Sequence, residues 1–294
     1  MRVLSDYGLV EVDMSLQELI ESRGYSIHRC VHSWSIYVLN QEWDYNLARV
    51  VVDFVASHIP RHEANQSWLM QQRLLQHAAR CSYILLNNLV INDGVAWIYH
   101  KLGLLYAKQG KLTEAEEMYQ QALHGYEKAL GAEHTSTLDT VNNLGILYKN
   151  QGSPAEAEEM LQRALQGYNK ALGIEHTSTL NTVGNLGNLY VYQGKLIEAE
   201  EMYQQALQGY KKALGAEHTS TLKMVNSLGN LYADQGKLAE AEKMYQRALH
   251  GYEKTLGAEH ISTLDTVNNL GLLYKDQGKL TKAEEMLQRA LQVK

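Results

Sequence analysis

The amino-acid sequence predicts an all-α solenoid of antiparallel helix pairs, preceded by a small α+β segment. Three observations support this fold class. The motif Leu-Gly-x-x-Tyr recurs every 42 residues, and each tyrosine is followed four residues later by a glycine. The chain has 294 residues with only 2 prolines, and its 45% hydrophobic and 20% charged content is typical of an ordered, largely helical protein. The five copies of the motif begin at Leu102, Leu144, Leu186, Leu228 and Leu270.

Each repeating unit is predicted to contain two helices. In the second copy, apolar residues from Leu138 to Tyr148 stand at spacings of three and four, which places them on one helix face. Gly152 ends this helix, because glycine adopts the left-handed cap at low cost. The second helix has the same spacing from Ala157 to Tyr168. The two helices are therefore expected to pack antiparallel around a shared apolar seam.

A linker of the form Gly-(Ala/Ile)-Glu-His-(Thr/Ile)-Ser-Thr-Leu precedes the next first helix. Ser136 with Asp139, and Ser262 with Asp265, have the spacing of a capping box. We therefore expect these serines to cap the first helices.

The residues of this unit resemble the tetratricopeptide repeat over residues 96–294. That family usually has a 34-residue period, so eight residues are surplus here; we place them at the end of the second helix, Tyr126 to Leu130 in the first copy. The longer unit, with Asn-Asn-Leu-Gly in its first helix, resembles the kinesin light chain subclass. The resemblance implies a right-handed superhelix of five repeats, the last one truncated.

The first helices of such an array line its concave surface, which implies a groove for a peptide or partner protein. Asparagine suits such a groove because its amide both donates and accepts hydrogen bonds. The alternative is that these residues lie on a solvated face or cap between repeats. The candidate peptide-binding residues are Asn142, Asn143, Lys149, Asn185, Asn188, Tyr192, Asn226, Asn230, Asn268 and Lys275.

Residues 1–95 do not carry the repeat. Pro60 and the polar run after it divide them into residues 1–60 and a linker helix in 61–95, near Trp68 to Asn87. Tyr7 to Asp13 alternates like a strand that pairs with Tyr25 to Val31, and helices are expected near His32 to Asn40 and Tyr45 to His58.

This N-terminal part resembles the winged-helix end of the NB-ARC signalling NTPases of filamentous fungi. The resemblance rests on Asp6-Tyr7-Gly8-Leu9-Val10, Tyr25-Ser26-Ile27-His28 and Val31-His32-Ser33-Trp34. The Gly-Lys pairs of the chain lack the spacing of a P-loop, so the nucleotide-binding part of such a protein is absent. The chain is expected to be a fragment, with self-association through its uncapped C-terminal end.

Three other sets of side chains recur with the repeat, and none predicts a cofactor, metal or catalytic site. Four linker histidines are too far apart for one metal ion, which favours packing or hydrogen bonding. Five methionines are expected to be buried between repeats, although a binding stripe is the alternative. Acidic pairs such as Glu116-Glu117 are copied in every unit, unlike an active site. The histidines are His134, His176, His218 and His260, and the methionines are Met118, Met160, Met202, Met244 and Met286.

The remaining composition limits the location and the partners. A net charge of −6 without a basic cluster argues against nucleic acid. Two cysteines, no signal peptide and no membrane-length apolar run indicate a cytoplasmic protein. We therefore expect a scaffold that binds a protein or peptide and has no enzymatic activity. The alternatives are a sensor arm of an NTPase signalling protein and an enzyme in residues 1–95.

Overall fold

The computed structural model describes residues 10–13, 24–27, 45–59, 67–90 and 93–291. The chain divides into two compact units, Met1–Asp93 and Gly94–Lys294. Each unit is described by itself below.

The first unit contains a short β-hairpin and two helices. Strands β1 (Val10–Asp13) and β2 (Gly24–Ile27) pair antiparallel, with Val10 opposite Ile27. Helices α1 (Tyr45–Ser57) and α2 (Ser67–Leu86) contact each other. The predicted strands, and the helices near Tyr45 to His58 and Trp68 to Asn87, agree with these elements, whereas the helix predicted near His32 to Asn40 lies outside the described residues.

The second unit is a series of ten helices in five consecutive pairs, which we number repeats 1 to 5. Each pair comprises a first helix, a tight turn and a longer second helix, except that the last helix spans 12 residues. The pairs are α3 (Ala96–Lys108) with α4 (Leu112–Leu130), α5 (Thr135–Gln151) with α6 (Pro154–Ala171), α7 (Thr177–Tyr192) with α8 (Leu196–Leu214), α9 (Thr219–Asp234) with α10 (Leu238–Leu256), and α11 (Ile261–Asp276) with α12 (Leu280–Leu291).

The prediction of helix pairs in a solenoid is confirmed. Each helix packs against its partner and against the next helix along the chain. The surplus residues Tyr126 to Leu130 form the last turns of α4, as expected. The core runs through the array without interruption, because Met202 and Met244 pack against buried residues of two successive repeats. The predicted burial of the repeated methionines is complete for Met118 and partial for Met160, Met202, Met244 and Met286.

Two glycines show why the motif requires this residue. A Cβ added to Gly187 would lie 2.6 Å from Cε1 of Tyr203, so the side chain of α8 lies directly on the backbone of α7. Gly152 ends α5 in the left-handed conformation, with φ 81° and ψ 23°. The first glycine permits close helix packing, and the second permits the turn.

The first helices of repeats 2 to 5 are capped by histidine, so the prediction of serine caps is wrong. Nδ1 of His134 accepts a hydrogen bond from the backbone N–H of Ser136 at 3.2 Å. His176, His218 and His260 accept from the serine two residues later in the same way. Ser136 lies two residues beyond the N-cap position and so cannot cap the helix, because the extended backbone that an N-cap residue adopts belongs to His134. Hydrogen bonding, the expected role of these histidines, is confirmed.

Candidate peptide-binding face

The predicted site residues all lie on first helices: α5, α7, α9 and α11. The first helices α5 and α7 contact each other directly, as do α9 and α11, so at these two junctions the predicted residues share a surface. We call this surface the inner face and define it by the ten predicted residues, Asn142, Asn143, Lys149, Asn185, Asn188, Tyr192, Asn226, Asn230, Asn268 and Lys275.

Some inner-face asparagines link neighbouring repeats. Oδ1 of Asn142 accepts hydrogen bonds from Oγ1 of Thr182 and Nδ2 of Asn185, each at 3.1 Å. In repeats 4 and 5, Oδ1 of Asn226 accepts from Oγ1 of Thr266 at 3.3 Å. The threonines are fully buried, and their hydroxyls also lie within hydrogen-bond distance of a backbone carbonyl in their own helix, Ser178 O at 3.1 Å from Thr182 and Ser262 O at 2.8 Å from Thr266. Each asparagine therefore shares a hydroxyl donor with that carbonyl and adds a polar contact between repeats.

In repeat 1, the position equivalent to Asn142 holds a histidine, His100. Nδ1 of His100 lies 2.9 Å from Oγ1 of Thr140, and the His100 ring contacts Tyr119 and Tyr126 edge-on. Burial lowers the pKa of His100 to about 4, even though the charge of Asp139 favours the protonated form; nearby Lys101 lowers it further. His100 is therefore neutral at physiological pH.

At the junction between repeats 3 and 4, the hydrogen bond to threonine is absent, and a small residue packs against a large one instead. The register that holds asparagine and threonine elsewhere holds Gly184 and Met224. A Cβ on Gly184 would lie 3.2 Å from Sδ of Met224, so the methionine occupies the space of the missing side chain. Met224 is buried as a result.

Two further asparagines bind tyrosines within their own repeat. Oδ1 of Asn188 accepts from the hydroxyl of Tyr203 at 2.6 Å, and Oδ1 of Asn230 accepts from Tyr245 at 2.7 Å. Repeats 2 and 5 have apolar residues at both positions, Ile146 with Leu161 and Leu272 with Leu287. Repeat 1 combines Leu104 with Tyr119, so asparagine occurs only where the second helix carries tyrosine, whereas tyrosine also occurs without it. The hydrogen bonds give Asn188 and Asn230 a structural role in repeats 3 and 4.

The remaining inner-face residues have no such role. Their side chains make no hydrogen bond or ion pair with the described part of the chain. These residues are Asn143, Lys149, Tyr192, Asn268 and Lys275. Tyr192 is 57% exposed, although it is a large aromatic residue. Exposed aromatic side chains of this kind are frequent energetic centres of interfaces.

A recurring glutamate cluster between repeats was missed by the sequence analysis. Glu242 of α10 accepts hydrogen bonds from Tyr274, Gln277 and Lys279 of repeat 5. Partial burial alone raises the pKa of Glu242, but the hydrogen bonds from Lys279 and Gln277 and the charge of Lys279 outweigh it, so the pKa falls below its ordinary value. Glu200 and Glu158 hold the equivalent contacts one and two repeats earlier. The signal was present in the sequence, because glutamate, tyrosine, glutamine and lysine recur together at the repeat spacing.

The structure also bears on two other classes of site. Within residues 45–59, 67–90 and 93–291, no three histidine, cysteine, aspartate or glutamate side chains come together as a metal ion would require. Among the helices α1 to α12 of the described residues, none is long and apolar enough to cross a membrane.

Known structures of similar fold were found for most of the chain. One is a crystal structure of kinesin-light-chain TPR-like repeats from Podosopora anserina, in which the repeats are nearly identical to one another. It is 30% identical to this chain, with a TM-score of 0.55 over 66% of this chain and 92% of that chain. BtubC (BKLC) of P. vanneervenii is 24% identical, with a TM-score of 0.59 over 76% of this chain and 88% of that one. NprR in complex with its cognate peptide NprX is 14% identical, with a TM-score of 0.60 over 89% of this chain and 71% of that one. The last two matches show a shared fold.

A comparison with curated protein sequences gave no match. The family model described as tetratricopeptide repeat matches residues 94–170, 140–212 and 218–294, which together span most of the chain. These matches coincide with the five helix pairs and with the glycine and tyrosine positions that pack them. The chain belongs to the tetratricopeptide repeat family.

Proposed function

We propose that repeats 1 to 5 bind an extended peptide of a partner protein along the inner face. Tetratricopeptide repeat proteins act as protein–protein interaction scaffolds and are typically not enzymes. The observation that carries the proposal is the exposure of Tyr192 among asparagine side chains whose nitrogens, apart from that of Asn185, have no partner in the described part of the chain.

The hydrogen-bonding character of the inner face favours a peptide backbone as ligand. The Oδ1 atoms of Asn142, Asn188, Asn226 and Asn230 already accept hydrogen bonds inside the protein. Their Nδ2 groups make none, so this face presents mainly donors. Peptide carbonyl oxygens are the complementary acceptors, and they recur along any extended chain whatever its sequence.

The fold supports the same proposal. NprR, which has this fold, has been crystallised in complex with its cognate peptide NprX. NprR is only 14% identical to this chain, so it does not indicate which peptide sequence this chain would bind. We therefore propose a peptide ligand without a sequence motif.

The structure also determines which residues a test should change. Asn142, Asn185 and Asn226 hold repeats together, so their replacement would confuse binding with folding. We therefore choose the inner-face variant Asn143→Ala, Tyr192→Ala, Asn268→Ala and Lys275→Ala, which breaks no internal hydrogen bond. A control variant, Gln121→Ala with Gln166→Ala, changes exposed residues of the second helices.

The experiment selects binders to the full chain from a library of random short peptides and then measures the affinity of the selected peptides for each variant. We expect the inner-face variant to lose about 30-fold or more in affinity, the effect of removing an aromatic hot spot, and the control to lose none. Equal binding by the wild type and the inner-face variant would place the site elsewhere and refute the proposal.

A second candidate function is the regulatory arm of an NB-ARC signalling NTPase. The observation that favours it is the hairpin of β1 and β2, which a winged-helix segment over residues 1–60 requires. The test is association of the full chain with a separately produced NB-ARC domain. Association that is lost on deletion of residues 1–60 supports this function, and no association with such domains contradicts it.

A further inference from the structure

A recurring ion pair joins the second helices of neighbouring repeats. Nη2 of Arg163 in α6 lies 2.5 Å from Oε1 of Glu127 in α4. Nη2 of Arg289 in α12 lies 2.6 Å from Oε1 of Glu253 in α10. The two pairs have the same sequence separation, so they occupy one structural register at the first and last junctions.

At the junction of repeats 3 and 4, this register holds two cations. Arg247 of α10 keeps the arginine of this position, whereas Lys211 of α8 replaces the glutamate, so two cations occupy positions that hold an ion pair at the other two junctions. Both residues are exposed, and neither has an ion-pair partner in the part of the chain that the structure describes. At the junction of repeats 2 and 3, the equivalent two positions hold the neutral residues Asn169 and Gln205.

A third cation lies one helical turn from Arg247. Lys243 stands where the other four repeats have glutamate, at Glu117, Glu159, Glu201 and Glu285. Lys243 and Arg247 are four residues apart on α10, so they share a helix face. Of the acids on the same helix, Glu253 is bound to Arg289 and Glu240 lies one turn before Lys243. Two departures from the acidic repeat pattern, Lys211 and Lys243, therefore coincide at one junction.

We propose that Lys211, Lys243 and Arg247 form a docking site for a short acidic segment of a partner protein. This triad is a second site, carried by second helices, and it is independent of the inner face. A carboxylate between Lys211 and Arg247 would supply the negative charge that the same register contains at two other junctions. The mutual repulsion of the cations is relieved when the acidic segment binds.

The size of the triad favours an acidic peptide over nucleic acid. Nucleic-acid binding relies on many phosphate contacts along an extended basic surface. Here only three cations span two helices, and the same helices also carry acidic residues such as Glu198, Glu201 and Glu240. The exposed amides of Gln205 and Gln208 on α8 can bind the backbone of a peptide between its acidic side chains.

The test uses the full chain and a fluorescent hexaglutamate peptide at low salt. The triad variant Lys211→Glu with Lys243→Glu returns both positions to the residue that other repeats carry, so the fold is retained. The control variant Lys108→Glu with Lys128→Glu makes the same change in net charge on exposed lysines of repeat 1. Lys211→Glu alone should also stabilise the array against urea, because it creates the ion pair with Arg247.

We expect the triad variant to bind hexaglutamate about tenfold more weakly than the wild type, and the control to bind within about twofold of the wild type. An equal loss in both variants would show attraction to net charge and would overturn the proposal. So would undetectable binding by the wild type, or tighter triad-dependent binding of single-stranded DNA of matched charge. Neither variant alters the inner face, so peptides selected there distinguish failure of this site from failure of the proposed function.

Discussion

Acidification is expected to destabilise the array through His100. The unfolded chain protonates this histidine below its ordinary pKa of 6.5, whereas the folded protein resists protonation until the pKa of about 4. Between these two values the unfolded state binds more protons, so the free energy of unfolding falls as the pH falls. The physical cause is burial against Tyr119 and Tyr126, which removes water from the imidazolium.

The two pKa values of His100 give the size of the effect. One unit of pKa difference corresponds to about 1.4 kcal/mol, and integration between about pH 7 and about pH 5 gives a loss of about 2 kcal/mol. Most of this loss precedes the acid range in which Glu158 and Glu242 are protonated, because the pKa values of these two carboxylates lie below their ordinary value.

The measurement is urea unfolding of the full chain at both pH values, for the wild type and for His100→Asn. Asparagine is the matched replacement because Asn142 binds Thr182 at this register in the next repeat. We expect the wild type to lose about 2 kcal/mol more than the variant. If the wild type and the variant lose the same stability, His100 titrates normally and its described burial is wrong.

Three further predictions concern caps and paired positions, each checked by urea unfolding. His218→Ala should cost about 1 kcal/mol and His218→Asn much less, because asparagine also caps helices; equal costs would contradict the capping role. Asn188→Leu should cost about 1–3 kcal/mol by stranding the hydroxyl of Tyr203, and the double variant Asn188→Leu with Tyr203→Leu should recover most of it, as in repeats 2 and 5; additive costs would argue against the pairing. Gly184→Asn should cost about 1–3 kcal/mol through its clash with Met224, and adding Met224→Thr should restore stability by recreating the bond of Asn142 and Thr182; no recovery would show that the residues act separately.

The helix pairs could be predicted because the information for them is local and copied. The glycine after each tyrosine fixes a turn, and the apolar spacing fixes the buried face. Five copies at one period then leave few alternatives for the fold. The surplus residues were placed correctly for the same reason, since Tyr126 to Leu130 continue the spacing of the second helix.

The caps and half of the inner face could not be predicted from local patterns. Histidine is not among the preferred capping residues, so the nearby serine was predicted to be the cap instead. Asn188 resembles a groove residue until it is compared with Tyr203, fifteen residues later on another helix. The basic pair of Lys211 and Arg247 could not be predicted from the net charge of the whole chain, because that charge does not show where a basic residue replaces an acidic one. In each case the missing information lay in comparing the copies with one another.

The Gly184 and Met224 pair has a consequence for the order of the repeats. Repeats 3 and 4 are matched to each other as neighbours, whereas repeats 2 and 3 or 4 and 5 share the asparagine–threonine junction. An unequal crossover that placed repeat 5 directly after repeat 3 would set Gly184 opposite Thr266 and leave a gap, and one that placed repeat 4 after repeat 2 would force Met224 against Asn142. Recombination between the copies can therefore lengthen or shorten the array at low cost only where it keeps repeats 3 and 4 adjacent.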